Sequence, residues 1–325
     1  MRRLTRCLGW ACACLLGLSA AFALSARAGT KAAAAGAEQP QSGPQSLWQK
    51  MTAAISARAA ESQGVVAVSL VDLTDGQRFA LRGDVVVAVA STIKLTILAE
   101  LFRQSEAGSL SLAETLSLRP QDVIDGSPIL MGLAGPRGAA TSLRPLSLRE
   151  LAVYMIATSD NTATNALIDR LGMSAVNALA ARLGLSQTRL RRKMLDAAAV
   201  QKGSENTATT DELTTLLVQL WQPGVFTEAA RRDALHILSV PKDSFFSRGL
   251  PDELPLASKP GSLDGLRAEA GIVLVPGRPF VLSAVVAFSP DGAAAERTLA
   301  DIAQLAHRYF STLATHTALG RRRPG

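Results

Sequence analysis

The chain has 325 residues, 48% of them hydrophobic, 19% charged and only 4% aromatic, which excludes a disordered protein and suits one large globular domain or two closely packed ones. The formal net charge of +7 overstates the body of the protein. Four arginines and no acids lie in the first 28 residues; without them +3 remains, and Arg321, Arg322 and Arg323 sit together in the tail, so the basicity carries no case for nucleic-acid binding. All three cysteines (Cys7, Cys12, Cys14) fall in that same N-terminal segment, and His236, His307 and His316 are scattered. A disulfide, a thiolate metal site and a zinc cluster are therefore not expected beyond it, and neither a metal nor another cofactor is implied.

Arg2, Arg3 and Arg6 precede an apolar run from Leu8 to Leu24, and Ala26-Arg27-Ala28 offers the small residues a signal peptidase reads. This predicts a signal peptide over residues 1–28, hence a periplasmic or secreted protein, with a retained membrane anchor as the alternative. Residues 29–45, rich in Ala, Gly, Gln and Pro, read as a flexible linker.

Leu47 to Ala60 reads as a helix. Val65 to Leu73, the turn Thr74-Asp75-Gly76 and Arg78 to Leu81 read as a β-hairpin. A helix carrying Ser91 and Lys94 follows to about Gln104, with Leu95, Leu98, Leu101 and Phe102 at helical spacing. From there to Val225 only helices are signalled, with capping boxes at Ser111–Glu114, Ser147–Glu150 and Thr209–Glu212. The helix after Ser147 stops at Ser159, Asp160-Asn161 turns the chain, and the next helix, Ala163 to Leu171, ends at Gly172. Strand signals return at Leu254–Lys259, Ala268–Val275 and Phe280–Phe288, broken by Pro260-Gly261 and Pro276-Gly277, before a last helix over Ala294–Ala314. The expected fold is α+β. Residues 46–104 and 235–318 would build a five-stranded antiparallel sheet flanked by helices, and residues 105–234 an inserted all-helical lobe. Residues 319–325 would form a basic tail, and a ligand crevice is expected between the lobes.

Positions i and i+3 share a helix face, so Ser91 and Lys94 would meet there. A serine hydroxyl needs a base to become a nucleophile, and lysine serves once burial or a nearby cation holds its pKa down. Two further motifs follow in order: Ser159-Asp160-Asn161 on a helix-to-helix turn and Lys259-Pro260-Gly261-Ser262 at the end of a strand. In this order and on these elements, the set resembles the penicilloyl-serine transferases, most closely the class A β-lactamases, over nearly the whole chain after the N-terminal segment.

The resemblance implies that Ser91 is the acylated nucleophile, Lys94 its base or relay, and Ser159 the shuttle to the leaving nitrogen. Asn161 would bind the acyl side chain, Asp160 prop the turn, and Lys259 supply positive charge to Ser159 and the substrate carboxylate. The N–H groups of Ser91 and Ser262 would form the oxyanion hole, with Gly261 among the substrate-binding residues. Two departures stand out. The middle residue of the Lys-x-Gly motif usually bears a hydroxyl and here is Pro260, leaving Ser262 or Arg267 to take over its contact with the carboxylate. The family's Glu-x-x-Leu-Asn loop falls at Thr188–Thr207, where Met194 stands in place of the Glu that positions water; Asp196 and Glu205 are the nearby acids. The expectation is an exported, monomeric β-lactam hydrolase with slow deacylation. The alternatives are a D-alanyl peptidase or esterase acting on cell-wall peptides, or a penicillin-binding sensor.

Overall fold

The computed structural model describes residues 42–134 and 143–323; the signal-peptide reading and most of the linker lie outside them. The first half contains α1 (Gly43–Ala60), β1 (Val65–Asp72), β2 (Arg78–Leu81), β3 (Val87–Ala88), a 3₁₀ turn (Ala90–Ile93) and α2 (Lys94–Glu106). The middle contains β4 (Thr115–Leu116), α3 (Pro128–Ala134), β5 (Leu146–Ser147), α4 (Leu148–Ala157), α5 (Asn161–Leu171) and α6 (Met173–Arg182). Then come α7 (Ala197–Gln201), β6 (Thr207–Ala208), α8 (Thr210–Trp221), α9 (Glu228–Leu238), β7 (Leu256–Leu263), β8 (Leu266–Val273), β9 (Phe280–Ala287) and α10 (Gly292–Thr315).

Five strands form one antiparallel sheet in the order β2-β1-β9-β8-β7, joining the two ends of the described chain as expected. Central β9 is buried along its whole length and reads as a continuous apolar run, because helices cover both faces of the sheet. On one face Phe280, Leu282, Ala284 and Val286 meet α1 and α10. The stripe Leu299, Ile302, Ala306, Tyr309, Phe310 and Leu313 explains why α10 lies there: its spacing puts one apolar side toward the sheet. On the other face Val281, Ala270 and Ile272 meet the core that surrounds α2. Residues 94–102 of α2 are all buried, so this helix is enclosed rather than amphipathic.

Several boundaries differ from the sequence expectation. The linker ends earlier, because Ser42 caps α1 by accepting from Gln45 N and Pro44 occupies its first turn. Ser111–Glu114 opens no helix; Ser111 makes a local turn, Pro120 follows, and Glu114 pairs with Arg170. Two tiny two-stranded ladders, β3–β6 and β4–β5, stand apart from the main sheet, and their two-residue strands are too short to leave a periodic signal. α8, which the sequence groups with the helical insert, packs on β1, β8 and β9. Most consequential for the site, β7 does not stop at Lys259. It runs through Pro260-Gly261, and the hairpin turn is Asp264-Gly265, with Gly265 at φ 72°. Pro260 is tolerated because β7 is an edge strand, where a missing N–H is affordable.

Phe310 is fully buried and stacks on Phe280 with ring centroids 4.2 Å apart. We expect Phe310→Ala to lower unfolding free energy by about 3–5 kcal/mol in a urea titration, with the denaturant slope unchanged.

Candidate active site

Ser91 lies in the 3₁₀ turn ahead of α2, not within the α-helix itself. Thr92 ties the turn down, its Oγ1 donating to Val89 O at 2.6 Å, and Ala90 is held at φ 48°, a strained value for a residue with a side chain. Strand β7 passes so close that a Cβ on Gly261 would sit 2.8 Å from Ser91 N, so glycine is required by the approach of the two backbones.

Lys94 is fully buried, and its Nζ donates to Ser159 O at 2.8 Å, Ser159 Oγ at 2.9 Å and Asn161 Oδ1 at 3.0 Å. Ser159 Oγ in turn donates to Ser91 Oγ at 2.8 Å, so the second serine bridges amine and nucleophile. Burial first, then the charge of Lys259, push the Lys94 pKa well below its ordinary value, against a raising effect of Asp160. A neutral amine keeps two N–H groups, enough for the two carbonyl-type oxygens, and turns its lone pair toward the Ser159 hydroxyl. With both hydroxyls rotated, Ser159 donates to that lone pair and Ser91 donates to Ser159, the reverse of the bonds above, and the relay can then carry a proton from Ser91 to Lys94.

The Ser159 loop is built for this contact. Ser159 adopts φ 57°, and buried Asp160 caps α5, accepting from Ala163 N at 2.9 Å and from Leu130 N at 3.1 Å. Asn161 is held by its Nδ2 donating to Asp125 O at 3.2 Å and by its N–H donating to Gly126 O at 3.1 Å.

Ser91, Ser159, Asn161, Lys259, Gly261 and Ser262 line one cleft of about 550 Å³. Lys259 is 1% exposed, its Nζ donates to Pro260 O at 2.7 Å, and burial lowers its pKa to about 7 against the raising charge of Glu269. Arg267 is placed outside the cleft lining: its Nε donates to Glu296 Oε1 at 2.8 Å and its Nη1 to Leu263 O and Leu266 O. The guanidinium that does line the cleft is Arg248, which the sequence reading missed. It donates to Glu296 at 2.6 Å and to Asp243 at 2.9 Å, and both acids also line the cleft. No periodic or motif signal marks Arg248; only the packing of its loop against α10 brings it there.

The loop over residues 188–207 is closed by Asn206, whose Oδ1 accepts from Arg191 N and Arg192 N. Asn165 holds the Met194 backbone from both sides, accepting from its N at 2.8 Å and donating to its O at 3.2 Å, while Met194 belongs to the apolar core. Asp196 and Glu205 are placed away from the cleft lining. Asp196 caps α7 by accepting from Ala199 N, and Glu205 pairs with Arg192 at 2.8 Å. Among the described residues, Asp243 and Glu296 are the carboxylates that line the cleft, and both are engaged by Arg248.

Comparison with known proteins bears on the family and the fold. The model of the Beta-lactamase enzyme family matches residues 47–310. A Beta-lactamase of Proteus vulgaris is 31% identical over 111 residues, covering 34% of this chain and 34% of that protein, so the alignment spans about a third of this curated relative. The solved beta-lactamase of Sphaerobacter thermophilus is 30% identical with a TM-score of 0.72, covering 80% of this chain and 97% of that one. The solved PBP-A is 26% identical with a TM-score of 0.70, covering 81% of this chain and 97% of that one. With a family model matched over most of its length, the chain belongs to the Beta-lactamase enzyme family.

Proposed function

We propose that the protein is an exported serine hydrolase of the class A β-lactamase type that forms an acyl-enzyme on Ser91 and releases it slowly. The observation that carries this reading is the unbroken contact from Lys94 through Ser159 to Ser91 inside an open cleft. Neutral Lys94 takes the Ser159 proton as Ser159 takes that of Ser91, and Ser91 Oγ bonds to the lactam carbonyl carbon. The carbonyl oxygen gains charge facing the N–H groups of Ser91 and Ser262, each such donor being worth about 3 kcal/mol to the barrier. When the C–N bond breaks, the same relay returns a proton to the nitrogen, leaving an ester on Ser91. Lys259 and Arg248 are the cations available to the substrate carboxylate, with Pro260 contributing no donor. Slow release rests on Met194, which offers no carboxylate to activate water. Export rests on the N-terminal pattern; among the described residues no helix is long and apolar enough to cross a membrane.

A second reading keeps the nucleophile and exchanges the substrate for a D-alanyl cell-wall peptide. Met194 and Pro260 favour it. Release of D-alanine from a stem peptide with negligible opening of nitrocefin decides for that reading.

Intact-mass time courses with benzylpenicillin test the proposal. An adduct of one penicilloyl group is expected on the protein, persisting after free drug is removed, and none on Ser91→Ala. Ser159→Ala is expected to slow acylation by about 10² to 10⁴. If the wild-type mass never changes, the proposal fails.

Lys259 is charged below about pH 7 and neutral above it. The second-order acylation constant for benzylpenicillin is therefore expected to fall by about tenfold as pH rises through that value, mostly through weaker binding. The penicillin methyl ester, lacking the carboxylate, is expected to show no such fall.

A further inference from the structure

Behind Lys259, on the opposite face of β7, lies a carboxylate to which the reaction assigns no task. Glu269 sits on β8 in direct register with Pro260 and is fully buried. Its Oε1 accepts from Ser258 Oγ at 2.6 Å and from Ser244 Oγ at 2.6 Å, and its Oε2 accepts from Phe246 N at 2.9 Å. Phe246 N can only donate and the two serine hydroxyls are able to, so each carboxylate oxygen has a donor within reach. Ser258 adjoins Lys259 in β7, whereas Ser244 and Phe246 lie in the segment that leads into the 3₁₀ turn Ser247–Gly249 carrying Arg248. One buried group thus fastens together the two stretches of chain that bear the cleft's cations.

We propose that Glu269 is a positioning residue that keeps Lys259 charged and sets the spacing of Lys259 and Arg248, so that recognition of an anionic substrate group depends on a carboxylate the substrate never touches. This inference rests on the acyl-enzyme reading above. An unpaired buried ammonium would lose its proton, and Pro260 gives Lys259 only a carbonyl oxygen. The charge of Glu269 raises the pKa of Lys259, and that of Lys242, on the segment after α9, lowers it. Burial raises the pKa of the Glu269 carboxyl above its ordinary value, and the hydrogen bonds from Ser244, Ser258 and Phe246 oppose that rise in part, favouring the charged form.

The other charged groups around Lys259 are accounted for. Lys94 of α2 is held by Ser159 and Asn161, and its neighbour Asp160 is committed to capping α5. Asp243 and Arg248 pair with each other at the cleft. On α9, which packs against β7, Asp233 is paired with Arg149 and His236 is exposed. Lys242 lies outside the cleft lining, its Nζ donating to Leu238 O at 2.6 Å.

The test compares wild type, Glu269→Gln and Lys242→Met across about pH 5 to 10, reading acylation by benzylpenicillin and by its methyl ester from intact mass. With benzylpenicillin, the alkaline fall is expected to move to lower pH by about one unit in Glu269→Gln and to higher pH in Lys242→Met, because the two substitutions remove opposite charges. The methyl ester profile is expected to stay put in both. A purely structural role would slow both substrates alike and leave the position of the fall unchanged, which overturns the inference. Should Glu269→Gln fail to fold, as circular dichroism would show, Ser258→Ala decides: it removes a donor to Glu269 Oε1, so the fall with benzylpenicillin is expected to move to lower pH, and an unmoved fall overturns the inference. Absence of any adduct on the wild type overturns the acyl-enzyme reading and this inference with it; an adduct with an unmoved alkaline fall overturns the inference alone.

Discussion

A lysine with no exposed surface is the constraint around which the cleft is organised. Lys94 gives up hydration for three fixed oxygen partners, all from residues 159 and 161, so the loop that supplies them cannot drift without leaving a buried amine unsatisfied. The left-handed backbone of Ser159 and the double duty of Asp160, as helix cap and as anchor of α3, follow from that demand. The same burial makes the amine a base. Under the proposed reading, the order of the site and the reactivity of Ser91 are thus two consequences of one desolvated group.

The second cationic centre is governed by backbone approach. β7 runs along the nucleophile turn closely enough to forbid a side chain at position 261, and it does so at the sheet edge, where proline at position 260 breaks no ladder within the sheet. Losing the family's hydroxyl at that position removes a donor from the cleft. The cations around it, Lys259 in the strand and Arg248 from the neighbouring turn, are therefore left with more of the task of reading charge. Glu296 on α10 accepts from both Arg248 and Arg267, so the closing helix reaches the cleft through a single acid.

The loop over residues 188–207 is well formed even though it lacks the expected acid. Asn165 and Asn206 organise its backbone, and Met194 fills apolar space. Asp196 and Glu205 are spent on a helix cap and an ion pair. Such an arrangement keeps the loop packed beside the cleft without Asp196 or Glu205 in its lining, and under the proposed acyl-enzyme reading it separates acylation from release.

The amino-acid sequence by itself determined the front hairpin, the closing helix, the five-stranded antiparallel sheet and the three motifs in order, because each is written in local periodicity, caps and turns. Set against the family it resembles, it also placed Pro260 where a hydroxyl is usual and Met194 where an acid is expected. A lone acid inside the apolar run after Leu266 was a readable signal for Glu269 that spacing rules do not weigh. Only the tertiary structure decided that Ser159 stands between Lys94 and Ser91, that β7 continues through Pro260, and that Arg248 rather than Arg267 lines the cleft. These depend on which strand lies at an edge and which distant charges are packed together, and such long-range pairings leave no trace in the spacing of neighbouring residues.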